Sequence, residues 1–210
     1  MPALASAAAA PPGWFGKLLA LGDFASRRLP PDWVRACDQW LSACLTHSRA
    51  ELGPAWLELY LNAPLWRFAW APGVIDAQWW FGVLMSSCDQ VGRYFPLVVA
   101  QSGAAPPRDA NALTAQEEDW YRQVGQAALQ TLEGRPVADF EAALARVPPW
   151  PGTQAVSQPD PQPNQPSDQH PLAGCSLWWS WLPDQPAGPV RVQPGLPRPE
   201  RFSAMLDGRW

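Results

Sequence analysis

Leu65-Trp66-Arg67-Phe68-Ala69-Trp70, Gln78–Ser86 and Tyr94–Gln101 are three apolar runs separated by turn residues. Trp66, Phe68 and Trp70 share one side of the first run, and Trp79, Phe81, Val83 and Met85 share one side of the second. That alternation has the period of a strand, whose successive side chains point to opposite faces. Ala71-Pro72-Gly73 and Asp89-Gln90-Val91-Gly92 lie in the joining stretches, so the runs read as an antiparallel meander.

Outward from the meander, the periodicity changes. Upstream, Trp33, Val34, Cys37, Trp40, Leu41, Cys44 and Leu45 step by three and four, which lines one face of a helix. Pro31 suits its first turn and Gly53 lies past its end. Trp14–Leu18, further upstream, reads as a short strand. Downstream, Trp120, Tyr121, Val124, Ala128 and Leu132 make a second helical face, and Val137, Phe140, Leu144 and Val147 a third. Cys175–Leu182 carries Trp179 and Trp181 against Trp178, and a strand apolar on both sides must be covered on both. The expected fold is α+β, an antiparallel sheet of about five strands flanked by helices. The element order resembles longin-like and profilin-like sheets.

The chain has 210 residues, enough for one sizeable core. Its 26 prolines concentrate in two stretches, so part of it lies outside regular structure. The first runs from about Pro148 to Pro171 and has almost nothing to bury, which reads as a loop or linker inside a single unit spanning 13–210. The second, Pro183 to Pro199, leaves room after it for a helix returning to the core. Residues 1–12 read as a disordered lead, since their Ala run lacks the basic segment of a signal peptide.

Charge and composition exclude several functions. A net charge of -4 provides no electrostatic footprint for a phosphate backbone, so nucleic acid is not expected as a partner. No stretch approaches the roughly 18 consecutive apolar residues of a membrane span. Cys37, Cys44, Cys88 and Cys175 are scattered, as buried thiols of a reducing compartment are, which points to the cytoplasm. With two histidines and no Cys-x-x-Cys pair, no metal is expected, and no nucleophile elbow or glycine-rich phosphate loop implies a cofactor.

What remains are polar residues in apolar settings. Asp23, in Gly22-Asp23-Phe24 ahead of Arg27-Arg28, reads as a turn residue capping local amides. Asp89 and Arg93 sit in the turn between two strands, where they either pair to stiffen it or form a charged rim to an aromatic binding surface. Arg67, between Trp66 and Phe68, reads as an outward arginine stacked on its neighbours ahead of an anion site.

Gly13-Trp14-Phe15-Gly16-Lys17-Leu18, Leu21-Gly22-Asp23-Phe24, Arg27-Arg28-Leu29-Pro30, Asp38-Gln39-Trp40-Leu41, Ala63–Phe68 and Asp89–Leu97, in this order, resemble the TagF family of type VI secretion system-associated proteins. One departure is Met85-Ser86-Ser87-Cys88-Asp89, which lacks the proline expected before the aspartate. The resemblance implies a cytoplasmic post-translational repressor of the secretion apparatus, binding its forkhead-associated scaffold protein. Asp23, Arg27, Trp66, Arg67, Asp89 and Arg93 are the expected partner-binding residues, with no catalytic residue among them. Some relatives carry a PP2C-type phosphatase domain, which is not expected in a chain ending at Trp210. The alternatives are a structural subunit of the secretion baseplate, or an enzyme using Asp23, Asp89 and Arg93. The aromatic surplus of 14 tryptophans would suit hot-spot contacts at a partner surface.

Overall fold

The computed structural model describes residues 10–103, 113–151, 171–183, 185–207 and 209–210. Residues 1–9 of the expected lead and 152–170 of the expected proline-rich loop lie outside these. The described ends of both segments are anchored. Pro12 is buried, the Ala10 carbonyl accepts from Gln101 Nε2 at 2.7 Å, and Trp150 is fully buried against Phe81, ring centroids 3.8 Å apart.

Seven strands are described: β1 (Gly13–Gly16), β2 (Ala25–Arg27), β3 (Leu65–Trp70), β4 (Trp79–Met85), β5 (Leu97–Gly103), β6 (Cys175–Trp181) and β7 (Arg191–Pro194). They form one antiparallel sheet in the order β2-β1-β5-β4-β3-β6-β7. The α+β class and the central meander of β3, β4 and β5 agree with the sequence reading. The strand number does not, because the short edge strands β2 and β7 lack an apolar alternation and surrender most of their side chains to solvent. The third run also begins its strand later, since Tyr94 makes only an isolated bridge with Cys88 before Pro96.

Helices cover both faces. On one lie α1 (Pro31–Leu52), α2 (Trp56–Asn62) and α5 (Pro199–Leu206); on the other lie α3 (Ala115–Gln130) and α4 (Val137–Arg146). Helix α1 opens on Pro31 and stops where Gly53 takes a positive φ of 52°. A capping box between Thr114 and Glu117 starts α3. Leu132, expected on the face of α3, instead falls in a short 3₁₀ turn after it and is exposed.

Each strand of the meander feeds both layers. Trp66, Phe68 and Trp70 pack toward α1 and α5 with Trp33, Cys37, Leu41 and Phe202, while Leu65 and Ala69 pack toward α3 with Trp120, Tyr121 and Trp179. All tryptophans except Trp40 and Trp210 are buried, so the aromatic surplus fills two core layers rather than a surface. Even those two pack on rings: Trp40 against Trp70, Trp178 and Phe202, and Trp210 against Trp66. At roughly 1.5–3 kcal/mol for each large apolar side chain removed from water, these layers dominate the stability.

Candidate functional site

Two loops meet at one corner of the sheet. The first, residues 17–24, leaves β1, and the second, 86–96, connects β4 to β5. They are brought together because β1 pairs with β5, with Gly16 opposite Leu97. Gly16 has φ 137°, and a Cβ there would sit 2.1 Å from the Pro96 carbonyl oxygen, so only glycine allows this approach.

Asp89 fastens the corner. Its Oδ1 accepts from the backbone N–H groups of Val91 and Arg93 at 3.1 and 2.9 Å; its Oδ2 accepts from Lys17 Nζ at 2.5 Å and from Arg93 Nε at 2.7 Å. The carboxylate is fully buried, and so is almost all of Lys17, the side chains being 0% and 5% exposed. Burial works to raise the Asp89 pKa, but the hydrogen bond from Lys17 and those from the Arg93 backbone and side chain outweigh it and hold the carboxyl well below the ordinary carboxylate range. An anionic group with all its donors in place is suited to fixing a turn, not to exchanging protons near neutrality.

Around this anchor the loops are sewn together. Gln90 N–H donates to the Leu21 carbonyl at 2.8 Å, and Arg93 Nη2 to the Gly22 carbonyl at 2.5 Å. Ser87, at the position following the missing proline, donates its hydroxyl to the Lys17 carbonyl at 2.8 Å, while its own carbonyl accepts from the Tyr60 hydroxyl on α2. On the outside, Phe24 meets Phe95 edge-on at 4.7 Å with the Lys17 ammonium 4.5 Å from its ring. Phe24 and Val91 nonetheless remain 46% and 69% exposed. Asp23 caps the Phe24 N–H at 2.8 Å, as a turn residue does, and stands 4.0 Å from Arg93. The corner is thus a rigid platform with an apolar tip and a rim of Asp23 and Arg93.

Only three of the six expected residues gather here, and Asp89 is the buried brace rather than part of the rim. Arg27 lies on β2 beside a separate clasp, 3.8 Å from Glu141 of α4. That carboxylate accepts from Trp14 Nε1 at 2.5 Å and from Arg28 Nη1 at 2.6 Å, which tie the β1–β2 hairpin to α4. Burial favours a raised Glu141 pKa, yet the Arg28 and Trp14 hydrogen bonds bring it down. Trp66 and Arg67, being neighbours on a strand, point to opposite faces. Trp66 is buried and donates Nε1 to the Met205 carbonyl of α5 at 3.3 Å. Arg67 is not an outward arginine: it is fully buried beneath α3, where Nη1 donates to both carboxylate oxygens of Glu118 at 2.8 Å. Burial lowers its pKa, against the opposing pull of Glu118. The reading failed because it assigned one buried side to β3, whose six residues are all buried.

Sequence reasoning missed Lys17, Phe24 and Val91 as parts of the corner. A lysine following the apolar strand Gly13–Gly16 was the available signal for Lys17. Among the described residues, no group of three or more His, Cys, Asp or Glu is placed to hold a metal ion, and no helix is long and apolar enough to cross a membrane.

The family described as TagF N-terminal domain, type VI secretion system-associated, matches residues 13–147, which include the whole corner and the clasp. The chain belongs to this family. Among solved structures, the TagF-family chain is similar to the crystal structure of PA0076 from Pseudomonas aeruginosa PAO1, with 34% identity, a TM-score of 0.74 and 94% of each chain covered. No curated protein matches it. The similarity to PA0076 reaches beyond residue 147, in keeping with the pairing of β6 onto β3 in the same sheet.

Proposed function

We propose that this TagF-family chain is a cytoplasmic post-translational repressor of a type VI secretion system, acting by protein–protein binding rather than catalysis. Its partner is the forkhead-associated scaffold of that system, and the binding surface is the two-loop corner. The observation that carries the reading is the combination at this corner of exposed apolar side chains, Phe24 and Val91, with a framework that cannot sag beneath them. A preorganised platform loses little conformational freedom when it docks, and a rim charge beside an apolar anchor steers and registers the partner. Family membership supports the type VI connection. Against the enzyme alternative, Asp89 is enclosed and saturated with donors, which leaves Asp23 as the exposed carboxylate of that set.

The test is a pull-down from cells carrying the secretion cluster, with effector release measured in parallel. Val91→Asp and Asp23→Ala should keep the melting temperature within about 5 °C, since both side chains are more than half exposed. Both should release the forkhead-associated scaffold and derepress secretion. Unchanged capture and repression by the folded variants would place the binding surface elsewhere. Stoichiometric co-purification with the assembled apparatus would make the chain a baseplate subunit.

A further inference from the structure

Arg67 is the one charged residue in the fully buried run of β3. Its Nη1 is taken up by Glu118, but its Nε and Nη2 have no hydrogen-bond partner among the described residues. Those two nitrogens form the side-on edge of a guanidinium, from which two N–H bonds run parallel. That spacing fits the two oxygens of one carboxylate or one phosphate. The rings of Tyr121 and Trp181 lie 5.5 and 5.0 Å from the guanidinium carbon. They attract the charge, yet neither ring supplies a lone pair to an N–H. Buried donors are almost always satisfied, and a charged pair left open in a core is uncommon.

We propose that the Nε–Nη2 edge of Arg67 is an oxyanion site, which binds the carboxylate or phosphate group of a small ligand side-on. Tyr121 and Trp181 hold the guanidinium in place. Glu118 is the competing anion: with its side chain 48% exposed, it is the member of the group that reaches solvent, and its carboxylate neutralises Arg67 in the free protein. Glu118 sits at Nη1 rather than on the open edge, and its negative charge opposes an incoming anion. The site shares no residue with the two-loop corner, so it stands or falls apart from the repressor reading.

The experiment is an NMR titration of the whole chain with sodium acetate, sodium phosphate or sodium chloride at equal ionic strength, following the Arg67 Nε–H resonance. That resonance is assigned by its loss in Arg67→Lys. An oxyanion in the site shifts the Nε–H saturably, and chloride does not. The response to acetate against phosphate tells which ligand class the edge prefers. Glu118→Gln removes the opposing charge and should tighten binding by about tenfold. Should either variant fail to fold, the melting temperature of the natural chain in the same three salts carries the test, with a rise that saturates at low oxyanion concentration expected for binding, whereas general stabilisation by excluded anions keeps growing with concentration. An Nε–H that moves no further in acetate or phosphate than in chloride, with no saturable rise in melting temperature, overturns the site.

Discussion

Among the described residues two cations are buried, and they are treated differently. Lys17, at the corner, faces an aspartate that is itself fully buried and whose oxygens also accept from Arg93 and two backbone amides. Arg67, under α3, faces a glutamate that is half in water, and two of its own donors are unmatched among the described residues. A buried charge stabilises a fold only when its partners are complete, because desolvation otherwise exceeds the Coulombic gain. The corner network is therefore a lock. The Arg67 pair is closer to a latch, retained at some expense in stability.

The contrast breaks most readily at Asp89. Asp89→Ala strands Lys17 without its anion and frees two turn amides, and should lower the melting temperature by about 10 °C. Folding depresses the Asp89 pKa, so its contribution is complete above the unfolded-state value of about 3.9 and is lost as pH falls through the lower folded value. The gap in melting temperature between the natural chain and Asp89→Ala should therefore be widest above pH ~4 and narrow on acidification. A gap of a degree or two at neutral pH would mean the corner is no lock.

Glu118→Gln sharpens the other side. The carboxamide keeps one acceptor near Nη1 but no charge, and half of Glu118 was solvated already. Urea denaturation should show a loss of roughly 1–3 kcal/mol, less than the Asp89 variant loses. A larger loss than at Asp89 would reverse the ranking of the two pairs. Asp23→Ala should do least, within about 1 °C, because its contact with Arg93 is 4.0 Å long and its side chain 79% exposed. A bigger change would mean that Asp23 belongs to the lock.

The sheet core was the legible part of this chain. Short apolar runs bounded by turn residues, Leu65–Trp70 and Trp79–Met85, mark the meander, although both strands are buried on both faces, and the three-and-four stepping from Trp33 to Leu45 marks α1, whose one buried face leaves a periodic trace. Both edge strands were invisible for the converse reason: Ala25–Arg27 and Arg191–Pro194 bury little. Helix α2 was hidden by its brevity, seven residues with only Trp56 and Tyr60 buried. At the corner, the Asp89–Arg93 turn could be read locally, but its decisive partner Lys17 lies 72 residues away in sequence. The same holds for Arg67, whose environment is set by Glu118, 51 residues on, and by Trp181. Periodicity reports which side of an element is buried; it carries no information about which distant polar groups meet there.

Strand β6 enters the sheet between β3 and β7, its partner β3 having left the ribosome long before, with α3 and α4 in between. Until Cys175–Trp181 is synthesised, β3 has one unpaired edge, and the β6 tryptophans that belong in both core layers are missing. Pairings so distant along the chain must overcome a large loop-closure entropy before any contact rewards them, which slows folding. The nascent protein thus passes through an interval with an open apolar strand, an edge prone to aggregation until β6 arrives to close it.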